Sequence, residues 1–212
     1  MIYLFDLDGT LTNSEEGILK AFHYTFKKMG MPDMKDEDLI EFIGPPLDET
    51  FRRRFNLYNE ENEKAMEYFR EYYRAEGKYQ NIPYEGIKEL LQEVSKKHTL
   101  AVATSKVLDQ AEDIIEHFGL NYFTFIGGAT VDTTRTKKYD IIEYTLEKLN
   151  VNDRNEVYMI GDRFTDIKGA HRAGLKAIGV LYGFGSKEEL EECNADYIVK
   201  SVEELKELLM TI

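Results

Sequence analysis

Residues 2–11 read Ile2-Tyr3-Leu4-Phe5-Asp6-Leu7-Asp8-Gly9-Thr10-Leu11. A short apolar run ends in two aspartates one residue apart, and Gly9 and Thr10 follow. An apolar run with no polar alternation is consistent with a parallel strand buried on both faces. Side chains two apart in an extended segment point to the same side, so Asp6 and Asp8 can converge on one ligand. Neighbouring carboxylates repel, and holding them together takes a cation or a shared proton. A strand end with an Asp-Gly turn is also common where no chemistry is done. The rest of the chain decides between these readings.

Outward from this stretch, the pattern changes at Ser14. Ile18, Phe22, Phe26 and Met29 recur at helical spacing, with Ser14 as the expected N-cap and Gly30 as the stop. Asp36 is placed to cap a short helix through Phe42, and Gly44-Pro45-Pro46 must break it. Further helices are expected from Leu47 and from about Glu60 to Gly77, the last with Ala65, Phe69, Tyr72 and Tyr73 on one face. Residues 14–80 contain no strand candidate. After Pro83, helices alternate with apolar runs at 99–105, from 123, at 157–162, at 177–183 and at 197–199. Such alternation predicts an α/β fold, a Rossmann-like parallel sheet covered on both faces. The expected division is a core of residues 1–13 and 81–212, with an all-helical insertion at 14–80. An insertion directly after the first strand enters at that strand's C-terminal end, where open α/β sheets place their ligand crevice.

At 212 residues the chain can form one sizeable α/β domain with a smaller insertion. Its net charge of −13 repels nucleic-acid phosphates and anionic membranes, so neither is an expected partner. A phosphorylated substrate would be repelled too, so a phosphate-handling site requires local cations. One cysteine, Cys193, excludes an internal disulfide and fits a reducing compartment. With no basic-then-apolar leader and no membrane-length apolar run, a cytoplasmic protein is expected.

Polar groups cluster where the predicted strands end: Asp6 after the first, Thr104-Ser105-Lys106 after the second, Gly161-Asp162 and then Asp166 after the fourth. Lys137 and Lys138 open the helix before that fourth strand. Each has a bland alternative as a cap, a turn residue or a solvated lysine. In a parallel sheet, however, these strand ends share one edge, and together they suit Mg²⁺-assisted phosphoryl transfer.

In these residues the sequence resembles the haloacid dehalogenase superfamily. Its motifs match Asp6 to Leu11, Thr104, Lys138 (with Lys137 as the neighbouring alternative) and Gly161-Asp162-Arg163-Phe164-Thr165-Asp166. The insertion resembles the subfamily I cap. The stretches FIGPPLDETF and GVLYGFGSKEEL are similar to the phosphoglycolate phosphatase and 5′-nucleotidase-like branch. The resemblance implies a phosphoric monoester hydrolase acting on a small phosphorylated metabolite, phosphoglycolate or a nucleoside 5′-monophosphate. It implies Asp6 as nucleophile, Asp8 as acid and base, and Thr104, Ser105 and Lys138 as phosphate ligands. Mg²⁺ would be held by Asp6, Asp8 (through its backbone carbonyl), Asp162 and Asp166, the last directly or through water. A sugar phosphomutase of the same superfamily and a non-catalytic phospho-receiver are the alternatives. A dehalogenase is disfavoured because it would not require Asp8.

Overall fold

In the computed structural model, which describes residues 1–212, the apolar opening run forms strand β1 (Ile2–Phe5). Helices α1 (Glu15–Met29), α2 (Asp36–Leu39), α3 (Leu47–Arg54) and α4 (Asn59–Ala75) follow and build one unit, Ser14–Ile82. Residues 1–13 and 83–212 form the other unit. In the latter the order is α5 (Ile87–Val94), β2 (Thr99–Val107), α6 (Leu108–His117), β3 (Phe125–Ala129) and α7 (Lys138–Lys148). Then come β4 (Val157–Gly161), α8 (Phe164–Arg172), β5 (Lys176–Val180), α9 (Lys187–Glu192), β6 (Tyr197–Val199) and α10 (Val202–Thr211).

The six strands form one parallel sheet in the order β3-β2-β1-β4-β5-β6. Phe5 lies beside Val102 of β2 and Ile160 of β4, so β1 is central and its end is flanked by both neighbours. Alternation along β1 sends side chains to two separate cores. Tyr3 and Phe5 pack with Leu90, Ile114 and Leu205 from α5, α6 and α10. Leu4 packs with Ile141, Ile167 and Leu190 from α7, α8 and α9. Helices therefore cover both faces, which is why the strand is apolar throughout. Strand order reverses between β1 and β4, the topological switch point at which α/β sheets open a crevice beyond their carboxyl ends.

Two strand ends differ from the sequence reading. Strand β2 runs through Val107, with irregular register between Ala103 and Val107, and α6 starts after it. Thr104 and Ser105 therefore cap no helix. Strand β5 stops at Val180, the Leu181 N–H still bonds the Val199 carbonyl at 2.9 Å, and residues 182–186 leave the sheet.

In the helical unit, α1 stops at Gly30, which adopts the left-handed φ of 66°. Ser14 precedes α1, but its buried hydroxyl makes no capping bond, so the expected side-chain cap is absent. Asp36 is the first residue of α2 rather than its cap, and a 3₁₀ turn carries the chain on to Phe42. The aromatic residues are core: Phe22 packs against Phe26, Phe42, Phe51, Phe55 and Phe69. Arg52, Arg53 and Arg54 lie on an exposed face, each within 3.5 to 3.8 Å of an acidic neighbour.

His23 on α1 places Nδ1 2.6 Å from Asp33 and Nε2 2.7 Å from Asp36. Two carboxylate acceptors on both ring nitrogens call for the imidazolium. Partial burial opposes that charge, but the two hydrogen bonds outweigh it and raise the pKa above 6.5. A raised folded-state pKa gives stabilisation that is complete below the unfolded value and lost as pH rises through the folded one. The partners are exposed, so the contribution is about 0.2–1 kcal/mol. His23→Gln is expected to lower the thermal midpoint at about pH 5.5 and to leave it unchanged at about pH 9.

Candidate active site

Asp6 stands one residue beyond β1, with Oδ1 accepting the Leu7 N–H at 2.8 Å. Its Oδ2 lies 2.9 Å from Nζ of Lys138, the first residue of α7. The same ammonium is 2.8 Å from Oδ1 of Asp166 and donates to the Ala103 carbonyl at 3.0 Å. One buried lysine thus joins the end of β1 and the middle of β2 to the first turn of α8. Its neighbour Lys137 is exposed. Asp162 follows β4 directly, and Asp6, Asp162 and Asp166 bring one carboxylate oxygen each within 4.8 Å of one another. All three residues are buried.

Burial dominates the electrostatics. It pushes the Asp162 carboxyl well above the ordinary carboxylate range, and the charges of Asp166 and Asp6 push the same way. Burial likewise raises Asp166, to about 6, although Lys138 pulls it down. Lys138 shows the opposite balance: burial disfavours its charge, but Asp166 and Asp6 outweigh burial and raise its pKa. If all three triad carboxylates are ionised, they face the single ammonium of Lys138. The remaining two negative charges are what one divalent cation would neutralise. An oxygen-only set suits a hard divalent cation.

Asp8 lies apart from this cluster. Its Oδ2 is 2.8 Å from Nζ of Lys106 near the end of β2, and its buried Oδ1 has no hydrogen-bond partner. Thr104 is buried on the same strand and its hydroxyl accepts the Lys106 N–H at 3.2 Å. Ser105 is half-buried and makes no hydrogen bond to any of these groups.

Several supporting contacts escaped the sequence reading. The Thr10 hydroxyl donates to Asp162 Oδ1 at 3.3 Å, and the Phe184 N–H donates to Asp162 Oδ2 at 2.8 Å. The Tyr182 hydroxyl donates to the Thr10 carbonyl at 3.1 Å. Glu189 Oε1 accepts both the Phe164 N–H at 2.7 Å and Arg163 Nε at 3.0 Å, which fixes the start of α8. Space is the limiting factor. A Cβ on Gly9, whose φ is 76°, would land on the Asp162 carboxylate, and one on Gly185 would land on the Asp162 backbone carbonyl. The only signal for these contacts was the glycine content of Gly183-Phe184-Gly185, and a glycine does not name its neighbour.

A cation relieves the repulsion among the three buried carboxylates only in the folded protein, so it should stabilise the fold. Saturating Mg²⁺ is expected to raise the thermal midpoint at neutral pH by about 5–10 °C. Asp162→Asn should abolish that shift. Gly185→Ala should weaken it, read as a higher half-maximal Mg²⁺ concentration in the same melting experiment.

A family model described as haloacid dehalogenase-like hydrolase matches residues 3–180. A 5′-nucleotidase of Pseudomonas aeruginosa is 38% identical over 97% of this chain and 94% of its own length. The tyrosine-protein kinase PtkA of Mycobacterium tuberculosis is 33% identical over 98% of this chain and 72% of its own. Among solved structures, a protein described as a predicted phosphatase from Clostridium acetobutylicum superposes with a TM-score of 0.95. It is 41% identical, with 100% of this chain and 98% of that one covered. No helix of the present chain is long and apolar enough to cross a membrane. The match to the family model over most of the sheet, with the 5′-nucleotidase and the Clostridium acetobutylicum protein aligned nearly end to end, establishes that the chain belongs to the haloacid dehalogenase-like hydrolases.

Proposed function

We propose that this enzyme is an Mg²⁺-dependent phosphatase that hydrolyses a small phosphorylated metabolite through an aspartyl-phosphate on Asp6. The observation carrying this reading is the buried triad Asp6, Asp162 and Asp166, with Lys138 2.9 Å from the first and 2.8 Å from the last. Three buried carboxylates that share one buried lysine are costly for stability alone. They are explained by a cation and a phosphoryl group that share the space. Asp6, Asp162 and the Asp8 backbone carbonyl would hold Mg²⁺, with Asp166 bound directly or through water. Bound there, the ion supplies positive charge to the phosphoryl oxygens.

Asp6 attacks phosphorus as the bond from phosphorus to the leaving oxygen breaks, and Asp8 gives that oxygen its proton. Asp8 then takes a proton from the water that attacks the aspartyl-phosphate, the bond from phosphorus to Asp6 breaks, and inorganic phosphate leaves. Lys138 and Thr104 bind the transferring phosphoryl group, where charge stabilisation matters most in the transition state. Nucleoside 5′-monophosphates and phosphoglycolate are the proposed substrates. The helical insertion is proposed to be the cap and to carry the choice between them, because the core groups recognise only the phosphoryl end.

Release of inorganic phosphate from a panel of phosphomonoesters tests the reading, with and without EDTA. Steady, EDTA-sensitive release is expected. Isomerised sugar phosphate would instead make the protein a mutase, and stoichiometric labelling without turnover a receiver. Asp6→Asn should abolish release, and undiminished turnover would remove Asp6 as nucleophile. Asp8→Ala should lower turnover by about 10²–10⁴-fold and leave phosphoenzyme detectable by mass spectrometry.

A further inference from the structure

Lys106 belongs to none of the family's motifs quoted above, yet its ammonium is nearly enclosed. Its side chain is 6% exposed and lies 2.8 Å from Oδ2 of Asp8, whose own side chain is 15% exposed. The other Asp8 oxygen, Oδ1, is buried and has no hydrogen-bond partner. The two oxygens of one carboxylate are therefore in different states, one fixed by a charge-assisted contact and one vacant as an acceptor. Asp8 also stays outside the triad gathered by Lys138. The extension of β2 beyond Thr104 creates this arrangement. Had α6 begun at Thr104, as its capping potential suggested, residue 106 would lie on a helix rather than on the strand next to β1.

We infer that Lys106 is a positioning residue for the reaction: it holds Asp8 by Oδ2, apart from the metal-binding carboxylates, and leaves Oδ1 as the atom that exchanges protons. The inference rests on the acid–base reading of Asp8. In the first half-reaction the proton on Oδ1 passes to the leaving oxygen as its bond to phosphorus breaks. In the second, Oδ1 accepts a proton from the attacking water. The ammonium restricts side-chain rotation in both halves, and it compensates the carboxylate charge that appears once Oδ1 has given up its proton. Thr104 shares the task, because its hydroxyl accepts the Lys106 backbone N–H at 3.2 Å and ties the lysine's own strand position to a phosphate-binding residue.

The test compares two esters by kcat/KM, which reports steps through the first release. An alkyl phosphomonoester needs a proton on its leaving oxygen, whereas p-nitrophenyl phosphate loses a phenolate that does not. K106M is expected to lower kcat/KM for the alkyl ester by about 10²-fold, the scale of a misplaced catalytic group. For p-nitrophenyl phosphate the loss should stay below about fivefold. K106Q, which keeps a neutral donor of similar length, should fall between K106M and the native enzyme, and it carries the test if K106M does not melt cooperatively. In a D8N background, K106M should add no further loss on the alkyl ester, because the lysine acts only through Asp8. Equal losses on both esters would mean that Lys106 grips the phosphoryl group they share and would overturn the inference. Additive losses in the double variant would overturn it as well. The D8N variant alone isolates the premise. If D8N keeps the native ratio of alkyl to aryl activity, the acid–base reading of Asp8 fails. If D8N is selective and K106M is not, only the role of Lys106 fails.

Discussion

The ion pairs of Lys138 are the constraint on which the site depends. Its ammonium lies 2.9 Å from Asp6, 2.8 Å from Asp166 and 3.0 Å from the Ala103 carbonyl. These partners come from β1, α8 and β2, three elements far apart in sequence and adjacent only because the sheet is parallel. Removing one partner of such a buried set leaves uncompensated charge, at a cost of about 3–5 kcal/mol. The lysine therefore works in two ways. It makes the gathering of carboxylates tolerable in the folded protein, and in the proposed reaction it is the positive charge an incoming phosphoryl group meets.

That dual role resolves a conflict posed by the composition. With a net charge of −13, the protein as a whole repels the phosphorylated ligands that a hydrolase of this family would handle. Attraction must be local and short-ranged. The ammonium of Lys138 is 3% exposed, so it is not screened as a surface lysine would be. A buried charge in a low-dielectric pocket counts for more than several solvated ones, and the exposed Arg52, Arg53 and Arg54 are tied to acidic neighbours. The acidic surface and an anion-handling site are therefore compatible.

The sheet and its site edge were legible in the sequence because both follow from periodicities that local chemistry enforces. The apolar run of β1 needs cover on two faces and receives it, and Asp6 and Asp162 stand just past adjacent strand ends that parallel pairing must align, with Thr104 on the strand at the other side of β1. What stayed hidden was set by contacts between distant segments. The length of β2 depends on pairing with β3 through an irregular register, which no local signal at Thr104 encodes. The same holds for the stretch after β5, which reads as a continued strand until its packing against Gly9 and Asp162 is seen. Ser14 shows the converse error: a good capping residue in a capping position, whose hydroxyl does not cap.

The stretch after β5 also explains why the opening motif contains glycine where it does. Asp162 spends one oxygen on the Thr10 hydroxyl and the other on the Phe184 N–H, so its rotamer is fixed from two sides before any cation arrives. Tyr182 closes the circuit by donating to the Thr10 carbonyl. Gly9 and Gly185 leave room for the Asp162 side chain and its carbonyl respectively. A carboxylate held this way loses little rotamer freedom when it takes a ligand, so more of the interaction energy remains for binding. Desolvation has already raised the energy of its charged form, and a cation relieves that penalty. Rigidity and desolvation thus favour a divalent ion by different routes: desolvation makes the folded site a poor place for bare carboxylates, and the fixed rotamer lowers the entropic cost of taking the ion.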